Sequence, residues 1–116
     1  MKLVILFGSR ARGDFTEESD YDVLVVDDEI PKDPRRVPSE LYMGIVKMFP
    51  KEVDAVFMNT QVFLKKLREG SPFILQIIEE GKILEKDEEF WEKVLRIYTS
   101  VRASYERRGR EWVRTK

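Results

Sequence analysis

Residues 3–7 (LVILF) and 23–26 (VLVV) are unbroken apolar runs of five and four residues. Runs this short and this uniformly apolar read as strands covered on both faces, inside a sheet flanked by helices. Further elements follow along the chain. Gly8-Ser9 ends the first strand, and Ser9 can cap a short helix over residues 10–12 that Gly13 closes. Residues 14–19 are polar loop, and residues 21–26 form the second strand. A helix is expected over 37–48, with Pro38 in its first turn, and a third strand over 53–58. Thr60 then caps a helix to about residue 68, and Ser71-Pro72 starts another that Gly81 stops. Residues 82–85 read as a short edge strand. A long last helix is expected from Glu88 to about Arg108, broken at Gly109. Strands and helices interleave, which predicts an α/β or α+β domain: a mixed, twisted sheet of about four strands, helices mainly on one face, and a long C-terminal helix.

At 116 residues the chain has room for one packed core. Its 21 Lys/Arg and 22 Asp/Glu nearly cancel, which argues against a general nucleic-acid binder. The balance is uneven: residues 1–87 carry 13 basic against 17 acidic residues, and residues 88–116 carry 8 against 5. There is no cysteine and no histidine. Disulfides, thiol nucleophiles, Cys/His zinc sites and histidine bases are thereby excluded. Catalysis must rest on carboxylates, hydroxyls, Lys/Arg or a hard metal ion. The opening MKLVILF is too short for a signal-peptide core, and no apolar run reaches membrane length, so a cytoplasmic location is expected. One Asn, two Gln and abundant Glu, Lys and Arg make a composition seen in heat-adapted proteins.

Asp20 and Asp22 stand at the head of the second apolar run, where a carboxylate is a poor strand former and costly to bury unpaired. At alternate strand positions they point the same way, with Cα atoms ~6.6 Å apart. Asp54 is the one acid inside the third strand, VDAVFM. Three such carboxylates suit Mg²⁺, which takes oxygen ligands and shares its shell with substrate phosphates. A pair of ions roughly 3.5–4 Å apart is the arrangement that phosphoryl chemistry uses. Gly8-Ser9, at a strand-to-helix turn, offers backbone N–H groups and a hydroxyl to those phosphates. Arg10, beside the turn, is either a further phosphate ligand or a surface ion-pair residue.

The spacing GS-x10-DxD with a later strand aspartate resembles the signature of the polymerase-β-like nucleotidyltransferase superfamily. The wording GSRARG and the length are most similar to its minimal members. The resemblance spans about residues 3–86 and takes in the helix-to-strand segment IIEEGKIL. It implies that residues 1–87 form the catalytic domain and that residues 88–116 form a C-terminal helix packed on it. It implies that Gly8 and Ser9, with Arg10 beside them, hold the nucleotide phosphates. Asp20, Asp22 and Asp54 would ligate two Mg²⁺, and Asp54 would also help deprotonate the attacking hydroxyl. Minimal members resemble antitoxins that silence HEPN-domain toxins by transferring AMP from ATP to a tyrosine. The implied function is transfer of AMP from ATP to a hydroxyl of a HEPN-domain partner. The alternatives are a non-catalytic toxin-binding module and transfer to a small hydroxylated acceptor such as an antibiotic. Family domains commonly carry a helix before the first strand; here the strand is expected from residue 2 or 3, so either the start is truncated or the C-terminal helix occupies that space.

VLVVDDE imitates the first strand of a phosphorelay receiver, but Asp54 comes too early for a phospho-acceptor and no Lys-Pro pair follows. Trp91, Tyr98, Tyr105 and Trp112 recur every seven residues. As a helical stripe they would either cover the domain's own sheet or, around Tyr105 and Trp112, meet a partner or a second copy.

Overall fold

The computed structural model describes residues 1–108 and 111–114. One of the two inner strands of its sheet is β1 (Leu3–Phe7), the chain's first apolar run. β1 pairs antiparallel on one side with β2 (Tyr21–Asp27) and on the other with β4 (Lys82–Lys86). β2 in turn pairs parallel with β3 (Val53–Asn59), giving a mixed sheet in the order β3-β2-β1-β4. A parallel pair needs a crossover. Here it contains a 3-10 turn (Pro34–Arg36) and helix α2 (Ser39–Val46).

Period-two alternation sends the apolar strands into two cores. Leu3, Ile5, Leu24 and Val26 face α3 (Thr60–Arg68), α4 (Pro72–Glu80) and α5 (Glu88–Ala103), packing with Phe63, Leu67, Ile74, Leu75, Phe90 and Val94. Val4, Leu6, Val23 and Val25 face the other way, toward the one-turn helix α1 (Ser9–Arg12) and α2, and pack with Ala11, Ile30 and Ile45. Cover on both sides is why these strands read as continuous apolar runs. The three larger helices share one face. β4 is exposed along its whole length, charged at Lys82, Glu85 and Lys86, and irregular in register opposite Val4 and Ile5. Charge and a bulge are usual protections of an open sheet edge.

Gly81, between α4 and β4, lies against β1. A Cβ there would overlap the Ile5 side chain and the Ile77 carbonyl, and would stand 3.1 Å from the Leu6 carbonyl.

Several boundaries differ from expectation. Asn59, not Thr60, caps α3, its side chain accepting from the Gln61 N–H. Thr60 is buried, and its Oγ1 has no hydrogen-bond partner among the described residues. Gly8 takes the cap position of α1, and the helix starts at Ser9. The largest change is at the end of α5, which stops at Ala103 instead of running to Arg108. Tyr105–Arg108 (β5) and Glu111–Arg114 (β6) pair antiparallel instead. Gly109, the expected helix breaker, lies outside the described residues. Trp91 and Tyr98 do pack on the domain's own core, with Ile97 and Val101. Tyr105 and Trp112 are not on that helix, and Leu95 is exposed. A heptad of aromatics is not enough for a helix: beyond Val101 the intervening positions are mostly charged, so no continuous apolar stripe remains.

Candidate active site

Where β1 ends, the backbone turns sharply at Gly8, with φ 73° and ψ −157°. That region is open essentially to glycine alone. The register places Phe7 opposite Asp22, so Gly8 passes directly over the Asp22 side chain. A Cβ on Gly8 would overlap Asp22 Oδ2 and stand 3.1 Å from its Cγ. The glycine and the aspartate, fourteen positions apart in the chain, are thus fitted to one another.

Asp54 lies in register with Asp22 on the neighbouring parallel strand, so both carboxylates leave the same face of the sheet. Asp20 immediately precedes β2. Of the three, only Asp22 is half-buried; Asp20 and Asp54 are exposed. The expectation that carboxylates within or at the head of apolar strands lose contact with water therefore holds for Asp22 alone. A strand end and an outer sheet edge both admit water, so burial alone demands a counter-ion at none but Asp22. Its carboxyl is pushed above the ordinary aspartate value, first by burial, then by the negative charge of Asp54 and of Asp20, with Arg12 opposing. Among the described residues no three acidic side chains are gathered closely enough to form a metal cluster as they stand. The donor chemistry nevertheless fits Mg²⁺: oxygen ligands only, two of them in register, and a half-buried carboxylate repelled by both neighbours.

Ser9 is the first residue of α1, where backbone N–H groups have no intrahelical partner. Its carbonyl accepts from the Gly13 N–H, which closes the turn with Gly13 in the left-handed conformation. Among the described residues Arg10 forms no ion pair and instead bonds the following loop. Its Nη2 and Nε donate to the Ser19 carbonyl at 2.9 and 3.2 Å, and Nη2 reaches the Glu17 carbonyl at 3.4 Å. The guanidinium also lies 4.4 Å from the Phe15 ring centre and 4.5 Å from that of Tyr21. Arg10 therefore staples the loop that delivers Asp20. Arg12 is the cation nearest in effect to Asp22, and it is ion-paired with Asp14 at 3.3 Å.

Beside Gly8 a cleft of about 210 Å³ opens between the end of β1 and α4. Phe7, Gly8 and Arg12 line it on one side, and Phe73, Gln76 and Glu80 on the other. Residues 73, 76, 77 and 80 are spaced i, i+3, i+4, i+7, which is one helix face. That spacing was legible in the sequence, but the interleaved Ile74, Leu75 and Ile78 masked it.

Residues 1–90 match the family model described as Polymerase beta, Nucleotidyltransferase. A Methanocaldococcus jannaschii protein that bears the name protein adenylyltransferase is 36% identical over 84 residues, which is 72% of this chain and 78% of that one. A second protein so named in the same organism is 28% identical over 95 residues, 79% of this chain and 63% of that one. Among solved structures, a toxin-antitoxin with AMP-PNP is similar, with a TM-score of 0.50 and 26% identity over 88% of this chain and 77% of that one.

Proposed function

This chain belongs to the polymerase beta nucleotidyltransferase family, and on that premise we propose that it transfers AMP from ATP to a hydroxyl of a HEPN-domain toxin, acting as its antitoxin. The observation that carries the reading is the seating of Gly8 on Asp22 with Asp54 in register beside it. A turn suited to phosphates and two carboxylates on one face of the sheet then meet at one end of it. The names of the relatives support the transferred group, and the toxin-antitoxin neighbour with AMP-PNP supports a toxin as partner and an adenine nucleotide as donor.

In this reading Gly8 and Ser9 hold the β- and γ-phosphates through backbone N–H groups and the Ser9 hydroxyl. Asp20, Asp22 and Asp54 would hold two Mg²⁺, which when bound neutralise charge on the attacking and leaving oxygens. Asp54, exposed on an outer strand, is open to a macromolecular acceptor. Its carboxylate takes the hydroxyl proton as that oxygen bonds to the α-phosphorus. The bond from the α-phosphorus to the bridging oxygen breaks, and pyrophosphate leaves.

Asp54→Asn tests this, because it keeps the side chain's size but cannot take up the proton. Labelled AMP transfer to the partner is expected to fall by about 10²–10⁴, with the two proteins still co-purifying and neutralisation lost. Full neutralisation by Asp54→Asn with no AMP on the toxin would establish contact alone as the mechanism and overturn the proposal.

A further inference from the structure

The cleft beside Gly8 has a composition that core packing does not explain. Phe73 sits off the buried stripe of α4 and is 45% exposed, although it meets the Phe7 ring edge-on at 5.5 Å. Gln76 donates its Nε2 to Glu80 Oε2 at 3.3 Å, which leaves Gln76 Oε1 to accept. The polar rim on α4 therefore offers acceptors: an amide oxygen and a carboxylate. Across the opening stands the Arg12 cation, next to the phosphate turn.

Position narrows the occupant further. In the strand order β3-β2-β1, Asp54 lies on one side of Asp22 and Phe7 on the other. The cleft is therefore on the far side of Asp22 from the carboxylate that would serve the acceptor, and it is continuous with Gly8. A group seated there is part of the nucleotide, not of the acceptor. An aromatic face is suited to stacking a base. A rim of acceptors complements an exocyclic amine and repels a keto oxygen in the same place.

We infer that this cleft is the base subsite, in which an adenine stacks on Phe73 and its exocyclic amine donates to Gln76 and Glu80. The inference rests on the nucleotidyl-transfer reading above and adds to it the residues that choose the base. Arg12 bridges the subsite to the phosphates.

Calorimetric titration of the full chain in Mn²⁺ with ATP, ITP, CTP and inorganic tripolyphosphate separates the two layers. ITP replaces the amine with a keto group, and tripolyphosphate has no base. ATP is expected to bind about tenfold more tightly than ITP, and more tightly than CTP, whose ring stacks over less area. Gln76→Leu should lower the ATP/ITP ratio, and Gln76→Leu with Glu80→Leu should bring it close to one. Phe73→Ala should weaken ATP about tenfold and leave tripolyphosphate unchanged. Because the Phe73 and Gln76 side chains are exposed, thermal melts should show both single variants folded. If tripolyphosphate binds but ATP, ITP and CTP do not differ, or if Phe73→Ala binds ATP normally, the base-subsite inference is wrong and the transferase reading stands. If neither tripolyphosphate nor any nucleotide binds, the transferase reading itself fails.

Discussion

Gly8 answers to two constraints at once, its backbone conformation and its contact with Asp22, and either would exclude a side chain. Its φ of 73° with ψ −157° costs a non-glycine residue about 1–3 kcal/mol. Gly8→Ala should therefore lower the urea-derived folding free energy by at least that much. It should also displace the Asp22 carboxylate, so that Mg²⁺-ATP binding falls beyond what the lost stability explains. A variant as stable as wild type would show that the turn relaxes and that the fit is not enforced. The candidate site was read at this scale from residue types: Gly8, Ser9, Asp20, Asp22 and Asp54 stood out at the ends of or inside apolar runs. What the sequence could not convey was which of them lose contact with water. Strand membership was visible, but an outer position in the sheet, which exposes Asp54, is a property of topology.

Among the elements, the loop between α1 and β2 is held less by its own backbone than by one side chain. Arg10 reaches back across nine residues to the Ser19 carbonyl while stacking between Phe15 and Tyr21, and Tyr21 stacks in turn on Phe49 at 5.0 Å. Arg10→Met keeps an apolar stem but removes the donors. It should cost about 1.5–3 kcal/mol, the range for hydrogen bonds to charged groups, and should speed amide hydrogen exchange at Tyr21, whose N–H bonds the Glu52 carbonyl beside the loop. Unchanged exchange with weaker tripolyphosphate binding would instead return Arg10 to the phosphates. Most elements were legible because apolar period and turn residues agreed: β1, β3, α3 and α4 lie within a residue or two of expectation. The C-terminal part was not, because a seven-residue recurrence of aromatics satisfies a helix only while apolar neighbours fill the positions between. The charged residues after Val101 withdraw that support, and the backbone pairs as β5 and β6.

For the whole molecule, the acidic site sets a conflict between folding and binding that pH should expose. A carboxyl whose folded pKa is raised contributes stability at low pH that is lost as pH rises through the folded value. Asp22 is such a group, so at neutral pH its ionised form opposes folding. Asp22→Asn should accordingly raise the melting temperature of the ligand-free chain at pH 7. In wild type, Mn²⁺ with ATP should stabilise by about 2.7 kcal/mol at a hundredfold excess over Kd. That gain should shrink as the pH falls into the carboxylate range and protons compete, and Asp20→Asn with Asp22→Asn should abolish it. A gain independent of pH would mean that the ligand binds away from these carboxylates. One further feature governs how such a site can diversify. Gly81 lets the end of α4 rest on β1 with no side chain between them, and Ile77, whose carbonyl it touches, lines the same helix face as Gln76 and Glu80. An alanine there would act as a shim, tilting the wall of the cleft away from Phe7 without altering any residue in it. The clearance available to a substrate is thus set by a position that no substrate meets. A lineage could retune it through a single methyl group.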